Sequence, residues 1–498
     1  MSAVENEVRA VWAALTGTEG DRATDAVTID VATDAATEAG TEVPGGGEVL
    51  PSIHRVGTAA AVAVTTGTLA AAVFGAERVA GPGALPPLVD VGVREAAIAF
   101  RSERYLRLAG RAATIWEPLS GDWPTSDGWV RVHANFPHHA RAACRALGVP
   151  ADRGALGAAL LDRLSVDAEQ AVVDAGGAAG ALRTAAEWAE HEQSAAVAGR
   201  PLIDVARTAD GDAPVAGRGG SGRSGRPGRP LAGLRVLDLT RVIAGPVAGR
   251  VLAAWGADVL AVRAPHLPTM AWTDVDTGFG KRLRLLDLRI ADDHAALLEL
   301  VRRADVVLQS YRPGALERLG LGPAELAAVR PGLGYVSVSA YGDTGPWAGR
   351  RGFDSVVQLV TGIADAGMRA AGADRPVPLP AQVLDHAAGW FAAAAAIETV
   401  RRARARGGAW RAEVTLAGVA RWLDGLGRVD PATEAALPDP GLDDVMDLTA
   451  VMRTAAGELR YVRPPGRIDG VAPLWESPSP FPSPLAQSPA AQTPAGAG

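Results

Sequence analysis

The sequence predicts an α/β protein, in which a Rossmann-like parallel-sheet domain is joined to a smaller α+β domain. The first observation is that apolar strand runs alternate with helical patterns over residues 231–475, which is typical of a parallel sheet covered by helices. The second is a hairpin pattern followed by helices within residues 49–207. With 498 residues, 48% of them hydrophobic and 21% charged, the chain can build two or three domains with cores of their own.

Three segments have the composition of unfolded chain. Residues 1–48 are predicted to be largely disordered, because their acidic Ala/Thr/Gly stretch has no apolar periodicity. Residues 208–230 contain "GRGGSGRSGRPGRP" and are predicted to be a linker. Residues 476–498 are a Pro/Ser/Ala-rich tail, also predicted to be disordered.

The later block gives its elements in a regular order. "GLRVLDLT" is the first strand, and "GPVAGRVLAAWG" is a helix with Pro246 in its first turn and Gly256 at its end. The strand "ADVLAVRA", the helix "ADDHAALLELVRRA" and the strands "DVVLQS" and "LGYVSVSAYG" follow. The turn after the first strand, "TRVIAGP", lacks the G-x-G-x-x-G fingerprint, so a dinucleotide-dependent dehydrogenase is the weakest interpretation.

A pattern of long apolar helix, turn, short strand and helix occurs twice, over residues 53–100 and 383–426. The first copy contains an uncharged run over residues 56–74 that has nearly the length of a membrane span. Its Ala, Thr and Gly residues insert weakly into membranes, so the run is predicted to be a buried helix of a soluble protein.

Composition disfavours several classes of protein. The net charge of −7 and the pI near 5.7 argue against a nucleic-acid binder. Cys144 is the only cysteine, which excludes an intramolecular disulfide and a cysteine-based zinc site. The acidic N-terminus does not have the pattern of a secretory signal. We therefore expect a cytoplasmic protein without a metal centre or a membrane partner.

A series of motifs in the later block then points to a family. These are "LAGLRVLDLTRVIAGPVAGRVLAAWGADVLAVRAP", "GKRLRLLDLR", "ADVVLQSYRPGALERLGLGPAEL", "GYVSVSAYGDTGPWAGRRGFDSVVQLVTG" and "PLPAQVLDHAAGWFAAAAAIETV". The series resembles the class III CoA-transferase family, which includes formyl-CoA transferase, carnitine CoA-transferase and α-methylacyl-CoA racemase. The earlier block, with "VDVGVREA" and "DGWVRVH", resembles the later half of that family. The two blocks thus stand in a permuted or fused order.

The resemblance implies a catalytic aspartate. Family members bind coenzyme A in the parallel-sheet domain, and their nucleophile lies in a segment that leads into a long helix; the matching residue is Asp385, in "VLDHAAG". A carboxylate at a helix N-terminus can attack a thioester. The alternative is that Asp385 only caps the helix. The equivalent helix of the first block is preceded by Ser52 and His54 and by no aspartate, so we expect one type of catalytic site per chain.

Three neighbours of Asp385 have assigned or open roles. Asp354 matches an acidic position near the family's active site, and its alternative is a cap on the helix that follows it. Phe353 stands where racemases carry a histidine, and a phenyl ring cannot move a proton. His386 is interpreted either as a nearby base or as a structural hydrogen-bond donor.

The resemblance also places coenzyme A against three segments. The "VIAGP" turn brings backbone close to a helix N-terminus, which suits phosphate or pantetheine, and arginine guanidinium groups suit phosphate. The candidate coenzyme-binding residues are Val242, Ala244, Gly245, Lys281, Arg282, Tyr311 and Arg312.

The leading hypothesis is a CoA-transferase that moves coenzyme A from an acyl-CoA to a carboxylic acid through a covalent aspartyl intermediate. The alternatives are an acyl-CoA racemase or isomerase and a CoA-binding protein without activity. The last is motivated by "AVRAP", where Ala261 and Arg263 replace a lysine and an acid of the family pattern. Family members are interlocked homodimers, so a homodimer is expected, although a fused chain could supply both halves itself.

Overall fold

The computed structural model describes residues 2–18, 22–30, 47–211 and 228–482. Helix α1 (Ala3–Thr16) begins with a capping box: the Ser2 hydroxyl accepts from the Glu5 N–H, and the Glu5 carboxylate accepts from the Ser2 N–H. Its buried side chains include Val8, Trp12 and Leu15, which are spaced four and three residues apart and so share one face of the helix.

Strand β1 (Val27–Asp30) pairs in parallel with β2 (Val89–Gly92). The prediction that residues 1–48 are largely disordered is therefore wrong for α1 and β1. The sequence contains the capping box and the apolar face of α1, but the acidic Ala/Thr/Gly composition of the segment favoured the prediction of disorder. The rest of the acidic stretch (31–46), most of the linker (212–227) and the end of the tail (483–498) lie outside the described residues.

A seven-stranded sheet forms the centre of the later block. Its order is β11–β10–β9–β12–β13–β14–β8, and only β8 runs antiparallel. The first six strands have the 3-2-1-4-5-6 order of a Rossmann-like sheet, as the sequence predicts. The strands are β8 (Asp204–Ala209), β9 (Arg235–Asp238), β10 (Asp258–Arg263), β11 (Lys281–Leu285), β12 (Val306–Gln309), β13 (Gly334–Ser339) and β14 (Ala409–Thr415).

Helices cover this sheet and place the candidate site. Because the strand order reverses between β9 and β12, the loops after these strands open a crevice at the carboxyl edge. The helices of this block are α10 (Ala244–Ala254), α11 (Ala271–Thr277), α12 (Ala291–Val301), α13 (Pro323–Val329), α14 (Asp354–Val360), α15 (Ile363–Ala370), α16 (Val383–Arg406), α17 (Leu416–Gly425) and α18 (Pro431–Ala436). Helix α10 follows β9 directly, and its N-terminus faces the crevice.

Two long apolar helices pack together across the two blocks. Helix α2 (Val56–Ala80) is long and apolar enough to span a membrane, but 89% of its most apolar window is buried in the protein, where it lies against α16. The two helices come so close at Gly67 that a Cβ there would lie 2.6 Å from the Trp390 ring. The sequence prediction of a buried helix agrees with this placement.

The earlier block contributes shorter elements. Its further helices are α3 (Val93–Ala99), α4 (Ser102–Tyr105), α5 (Pro137–Leu147), α6 (Arg153–Leu161), α7 (Ser165–Asp174), α8 (Ala185–Glu190) and α9 (Glu192–Ala198). The hairpin of β5 (Gly121–Pro124) and β6 (Trp129–Val132) continues into β7 (Ala179–Ala181).

The remaining strands tie the two blocks together. They are β3 (Arg107–Leu108), β4 (Arg111–Ala112), β15 (Thr449–Thr454), β16 (Gly457–Val462) and β17 (Arg467–Ile468). Strand β16 pairs with β3, and β17 pairs with β2, while β8 of the earlier block closes the edge of the seven-stranded sheet. The blocks at 49–207 and 231–475 therefore share their sheets and are not separate bodies, although the sequence divides them.

Candidate active site

Asp385 is the third residue of α16, and its side chain lines a cavity at the carboxyl edge of the sheet. Its own backbone N–H donates to Asp354 Oδ2 at 2.9 Å. Asp354, the first residue of α14, is fully buried. The carboxylate that caps α16 is therefore that of Asp354, and the carboxylate of Asp385 is left free to face the cavity.

Both carboxyl groups have perturbed acidity. Burial raises the pKa of Asp354 to about 6, against the opposing effect of the hydrogen bonds from Asp385 and Gln358. Burial also raises the pKa of Asp385 well above its ordinary value, and the nearby charges of Asp354 and Glu103 raise it further. Such a carboxylate is poorly solvated when charged, which makes it a stronger nucleophile than an exposed one.

His386, the next residue along α16, is fully buried. Its Nε2 lies 3.2 Å from Glu103 Oε2, and its ring stacks on Phe100 at 5.4 Å between centroids. Burial acts to raise the pKa of Glu103, but the hydrogen bond and charge of His386 outweigh it, and the pKa of this carboxyl lies below its ordinary value. His386 thus joins α16 to α4 of the earlier block, which favours its interpretation as a structural donor.

The main cavity has a volume of about 380 Å³ and a strongly basic wall. Four arginines line it, from the loops after β9, β12 and β13: Arg241, Arg312, Arg350 and Arg351. Burial lowers the pKa of His139 in the same wall to about 3, helped by the charges of His138, Arg351 and Arg241. Arg350 is ion-paired with Glu169, and the other three arginines leave the cavity with an excess of positive charge that suits an anionic ligand.

The turn after β9 has a strained backbone. Val242 has a φ of 72°, a conformation that a β-branched residue rarely adopts and that recurs at functional sites. Val242 and Ala244 line the cavity, whereas Gly245 is absent from its wall. A Cβ at Gly245 would lie 2.4 Å from the Thr240 side chain, so the glycine is needed for the tight turn.

Two predicted coenzyme contacts lie elsewhere. Lys281 is fully buried, and its Nζ donates to Asp238 Oδ2 and to Pro246 O, each at 2.7 Å. Arg282 is exposed and makes a bidentate ion pair with Asp258. Neither lines the cavity, because both lie at the amino end of the edge strand β11, whereas the cavity lies at the carboxyl edge of the sheet. Tyr311 and Arg312 do line it, and their contact with coenzyme A stays a prediction.

Several residues of the site come from the earlier block. Phe136, His138 and His139 complete the wall of the main cavity. His133 stacks on Phe353 with ring centroids 3.6 Å apart. Sequence reasoning missed them because more than two hundred residues separate them from Asp385. The pair "HH" in the hairpin-helix segment was the only signal, and it has no motif spacing.

Helix α2 repeats the start of α16 without its aspartate. Glu48, a buried carboxylate, accepts from the N–H groups of Gly57 and Thr58, as Asp354 accepts from that of Asp385. Thr58, the third residue of α2, therefore occupies the place of Asp385 in α16. Its hydroxyl donates to Glu48 Oε1 at 2.7 Å.

Among the described residues, no group of three His, Cys, Asp or Glu side chains is arranged to hold a metal ion.

Comparison with known proteins matches residues 231–427 to the sequence model of CoA-transferase family III. The probable fatty acyl-CoA transferase Rv3272 of Mycobacterium tuberculosis is 37% identical over 180 residues, which cover 34% of this chain and 45% of that protein. The acetyl-coenzyme A transferase nodX of Hypoxylon pulicicidum is 36% identical over 197 residues, covering 39% of this chain and 33% of that protein. The chain thus spans less than half the length of these curated relatives.

Among solved structures, the crystal structure of Rv3272 from Mycobacterium tuberculosis is 34% identical, with a TM-score of 0.36, and the match covers 40% of this chain and 58% of that one.

Proposed function

We propose that this chain, whose residues 231–427 belong to CoA-transferase family III, moves coenzyme A from an acyl-CoA thioester to a carboxylic acid. The observation that carries the proposal is the Asp385 carboxylate, which is released from capping by Asp354 and faces a cavity lined by four arginines. The arginines suit the phosphates of coenzyme A, and the carboxylate suits attack on the thioester.

The proposed reaction exchanges acyl groups on Asp385 without any proton transfer. An Asp385 oxygen attacks the thioester carbonyl carbon, the C–S bond breaks, and a mixed anhydride and the coenzyme A thiolate result. The thiolate attacks the aspartyl carbonyl of the anhydride, which releases the donor acid and leaves an aspartyl-CoA thioester. The acceptor carboxylate attacks this thioester, and the returning thiolate then takes the acceptor acyl group and frees Asp385.

The chain's own residues support these steps. Asp385 lies in the first turn of α16, where the positive end of the helix dipole favours the negative charge that develops during the reaction. The raised pKa of Asp385 makes its anion a good nucleophile and keeps the anhydride carbonyl in poorly hydrated surroundings. Because no proton moves, the reaction does not need His386 as a base, and its pairing with Glu103 is compatible with the mechanism.

Mass spectrometry tests the proposal directly. After incubation with a panel of acyl-CoAs, we expect a peptide containing Asp385 to carry a coenzyme A or acyl adduct, and Asp385→Asn to carry none. Transfer between the acyl-CoA and an added carboxylate should vanish with the adduct. If no acyl-CoA of a broad panel gives either adduct or transfer, the enzyme proposal is wrong and a non-catalytic CoA-binding protein takes its place.

A racemase is the second candidate, because His133 brings an imidazole ring against Phe353. Burial lowers the pKa of His133 well below its ordinary value, so the neutral ring could accept an α-proton. Exchange of the acyl α-hydrogen with deuterated solvent, in the absence of any acceptor, would favour this reaction. We expect no such exchange, since Phe353 itself cannot carry a proton.

Oligomeric state and location also belong to the proposal. The resemblance implies a homodimer, but the pairing of α2 with α16 inside one chain supports a chain that supplies both halves. We propose a cytoplasmic location, which fits a protein with a single, buried cysteine. Cell fractionation followed by immunodetection checks it.

A further inference from the structure

A second, smaller cavity meets the first at Asp385. It is shared between the blocks: Trp116 and His133 of the earlier block face Phe353 and Asp385 of the later one, and Glu103 closes one side. Val242, Ile243, Phe353 and Asp385 belong to both cavities. A thioester whose coenzyme lies in the basic cavity and whose carbonyl carbon reaches Asp385 would extend its acyl group into this smaller one.

The charge of the smaller cavity is opposite to that of the larger. None of the described residues that line it is an arginine or a lysine. Burial keeps the pKa of His133 well below its ordinary value, so this ring is neutral at pH 7. Arg131 lies 4.7 Å from the centroid of the Trp116 ring, but its guanidinium is paired with Asp122. The wall therefore holds no free cation.

Glu103 gives this wall a negative charge. Its carboxyl group is buried, and its Oε2 is bound to His386 Nε2 at 3.2 Å while its Oε1 has no hydrogen-bond partner. The hydrogen bond and charge of His386 hold the pKa of Glu103 below its ordinary value against the effect of burial. His386 offsets this charge on the side of Oε2. A second carboxylate brought beside Oε1 would have no cation of its own to pair with and would meet repulsion with little screening by water.

We propose that the smaller cavity is the acyl pocket and selects a short uncharged acyl group over one that ends in a carboxylate, with Glu103 as the specificity-determining residue. This inference rests on the transferase proposed above. The free volume of about 20 Å³ is little more than the about 10–15 Å³ that one water needs, so it admits only the end of a short acyl chain that begins in the main cavity at Asp385. Several relatives carry names with dicarboxylic acids, such as the succinate–glutarate CoA-transferase of Agrobacterium fabrum, so the selectivity separates this chain from them.

Butyryl-CoA and succinyl-CoA test the inference, because they match in carbon number and differ in the terminal carboxylate. We expect the wild type to favour butyryl-CoA in kcat/KM by at least about tenfold, which corresponds to about 1.4 kcal/mol. Glu103→Gln keeps the size of the side chain and removes its charge, and should bring the ratio to within about threefold, on the same scale. Glu48→Gln, which removes a buried carboxylate that lines neither cavity, should leave the ratio unchanged.

Binding gives a readout that does not depend on turnover. Calorimetry with the inert thioethers S-butyl-CoA and S-(3-carboxypropyl)-CoA should show tighter binding of the butyl compound to the wild type and similar binding of both to Glu103→Gln. Transfer from succinyl-CoA as fast as from butyryl-CoA, or equal binding of the two thioethers by the wild type, would overturn the inference and leave the transferase standing. Selective binding without any transfer or Asp385 adduct would instead overturn the transferase and retain the pocket.

Discussion

At the scale of single residues, Asp354 and Asp385 have different roles, and this difference decides what the site can do. The sequence offered two interpretations of an aspartate at a helix start, a cap or a nucleophile. The structure assigns the cap to Asp354, from another helix, which no local pattern around Asp385 could reveal. Asp385 thus has no structural role at the helix terminus, and its replacement should leave the fold intact.

Asp385→Asn should reduce transfer by at least about a thousandfold, as removal of a nucleophile does, without destabilising the protein. The raised pKa of Asp385 stabilises the folded state fully below the ordinary aspartate pKa of 3.8, and this contribution is lost as pH rises through the folded value. Asp385→Asn has no carboxyl group at this position, so it does not lose stability in this way as pH rises. Its Tm minus that of the wild type should therefore increase with pH, and scanning calorimetry at about pH 5 and pH 8 measures this.

Asp354→Asn should shift the acid limb of the pH profile of kcat/KM, where activity rises as Asp385 ionises, to lower pH. The charge of Asp354 raises the pKa of Asp385, so its removal lets Asp385 ionise more easily, while the amide oxygen of asparagine can still cap α16. The profile of kcat/KM between about pH 5 and pH 8 reports the ionisation in the free enzyme.

Asp365→Asn is the matched control for that profile. Asp365 is a buried residue of α15 that forms an ion pair with Arg369, and it does not line either cavity. Its replacement should leave the acid limb where it is. An acid limb that stays in place in Asp354→Asn as well would contradict the assignment of Asp385 as the ionising group.

At the scale of elements, the contact between α10 and α16 brings the strained Val242 turn close to Asp385, the proposed nucleophile. The two helices meet at Gly389, where a Cβ would lie 2.6 Å from Ala244 O and 2.7 Å from the Val247 side chain. Backbone cannot move aside as a flexible side chain can. The glycine therefore fixes the distance between the Val242 turn and Asp385.

Gly389→Ala should lower the free energy of unfolding by about 1–3 kcal/mol, the usual cost of overpacking, and should also reduce transfer, since the α10 N-terminus is pushed away. Gly425→Ala is the control, because an added Cβ at the end of α17 meets nothing within 4 Å. That variant should raise the free energy of unfolding by up to about 1 kcal/mol, the difference in helix propensity between glycine and alanine. Urea unfolding of both proteins measures the difference, and equal midpoints would contradict the close contact.

Elements were predicted from the sequence more fully than side-chain partners. The strand and helix runs of the later block gave the Rossmann-like order because their periodicity is local. The role of Lys281 was not accessible in the same way: a lone lysine after a glycine looks available for phosphate, yet it is held by Asp238, 43 residues away. His386 likewise needed Glu103, from a helix 283 residues away, before its role could be assigned.

At the scale of the whole molecule, the two blocks make one site between them. The hairpin-helix segment of the earlier block supplies Phe136, His138 and His139 to a cavity that Asp385 of the later block also lines. The sequence indicated two blocks in an unusual order, and the structure joins them: strands β8, β2 and β3 of the earlier block are paired with strands of the later one.

The pairing of α2 with α16 predicts that the protein is a monomer in solution. Helix α2 packs against α16 within one chain, so the face of α16 that it covers is not available to a second chain. Light scattering coupled to gel filtration should give a mass near 51.0 kDa. A mass of twice that value would mean that the homodimer implied by the family resemblance is formed in addition to the internal pairing.

The internal pair of helices also changes what mutation can do to this protein. In a symmetric dimer, one codon specifies the same position in both long helices, so every substitution is made twice and both sites accept or reject it together. Here position 58 and position 385 are encoded separately. Threonine can therefore stand beside Glu48 while aspartate stands beside Asp354. Each half of the chain can change in sequence independently of the other.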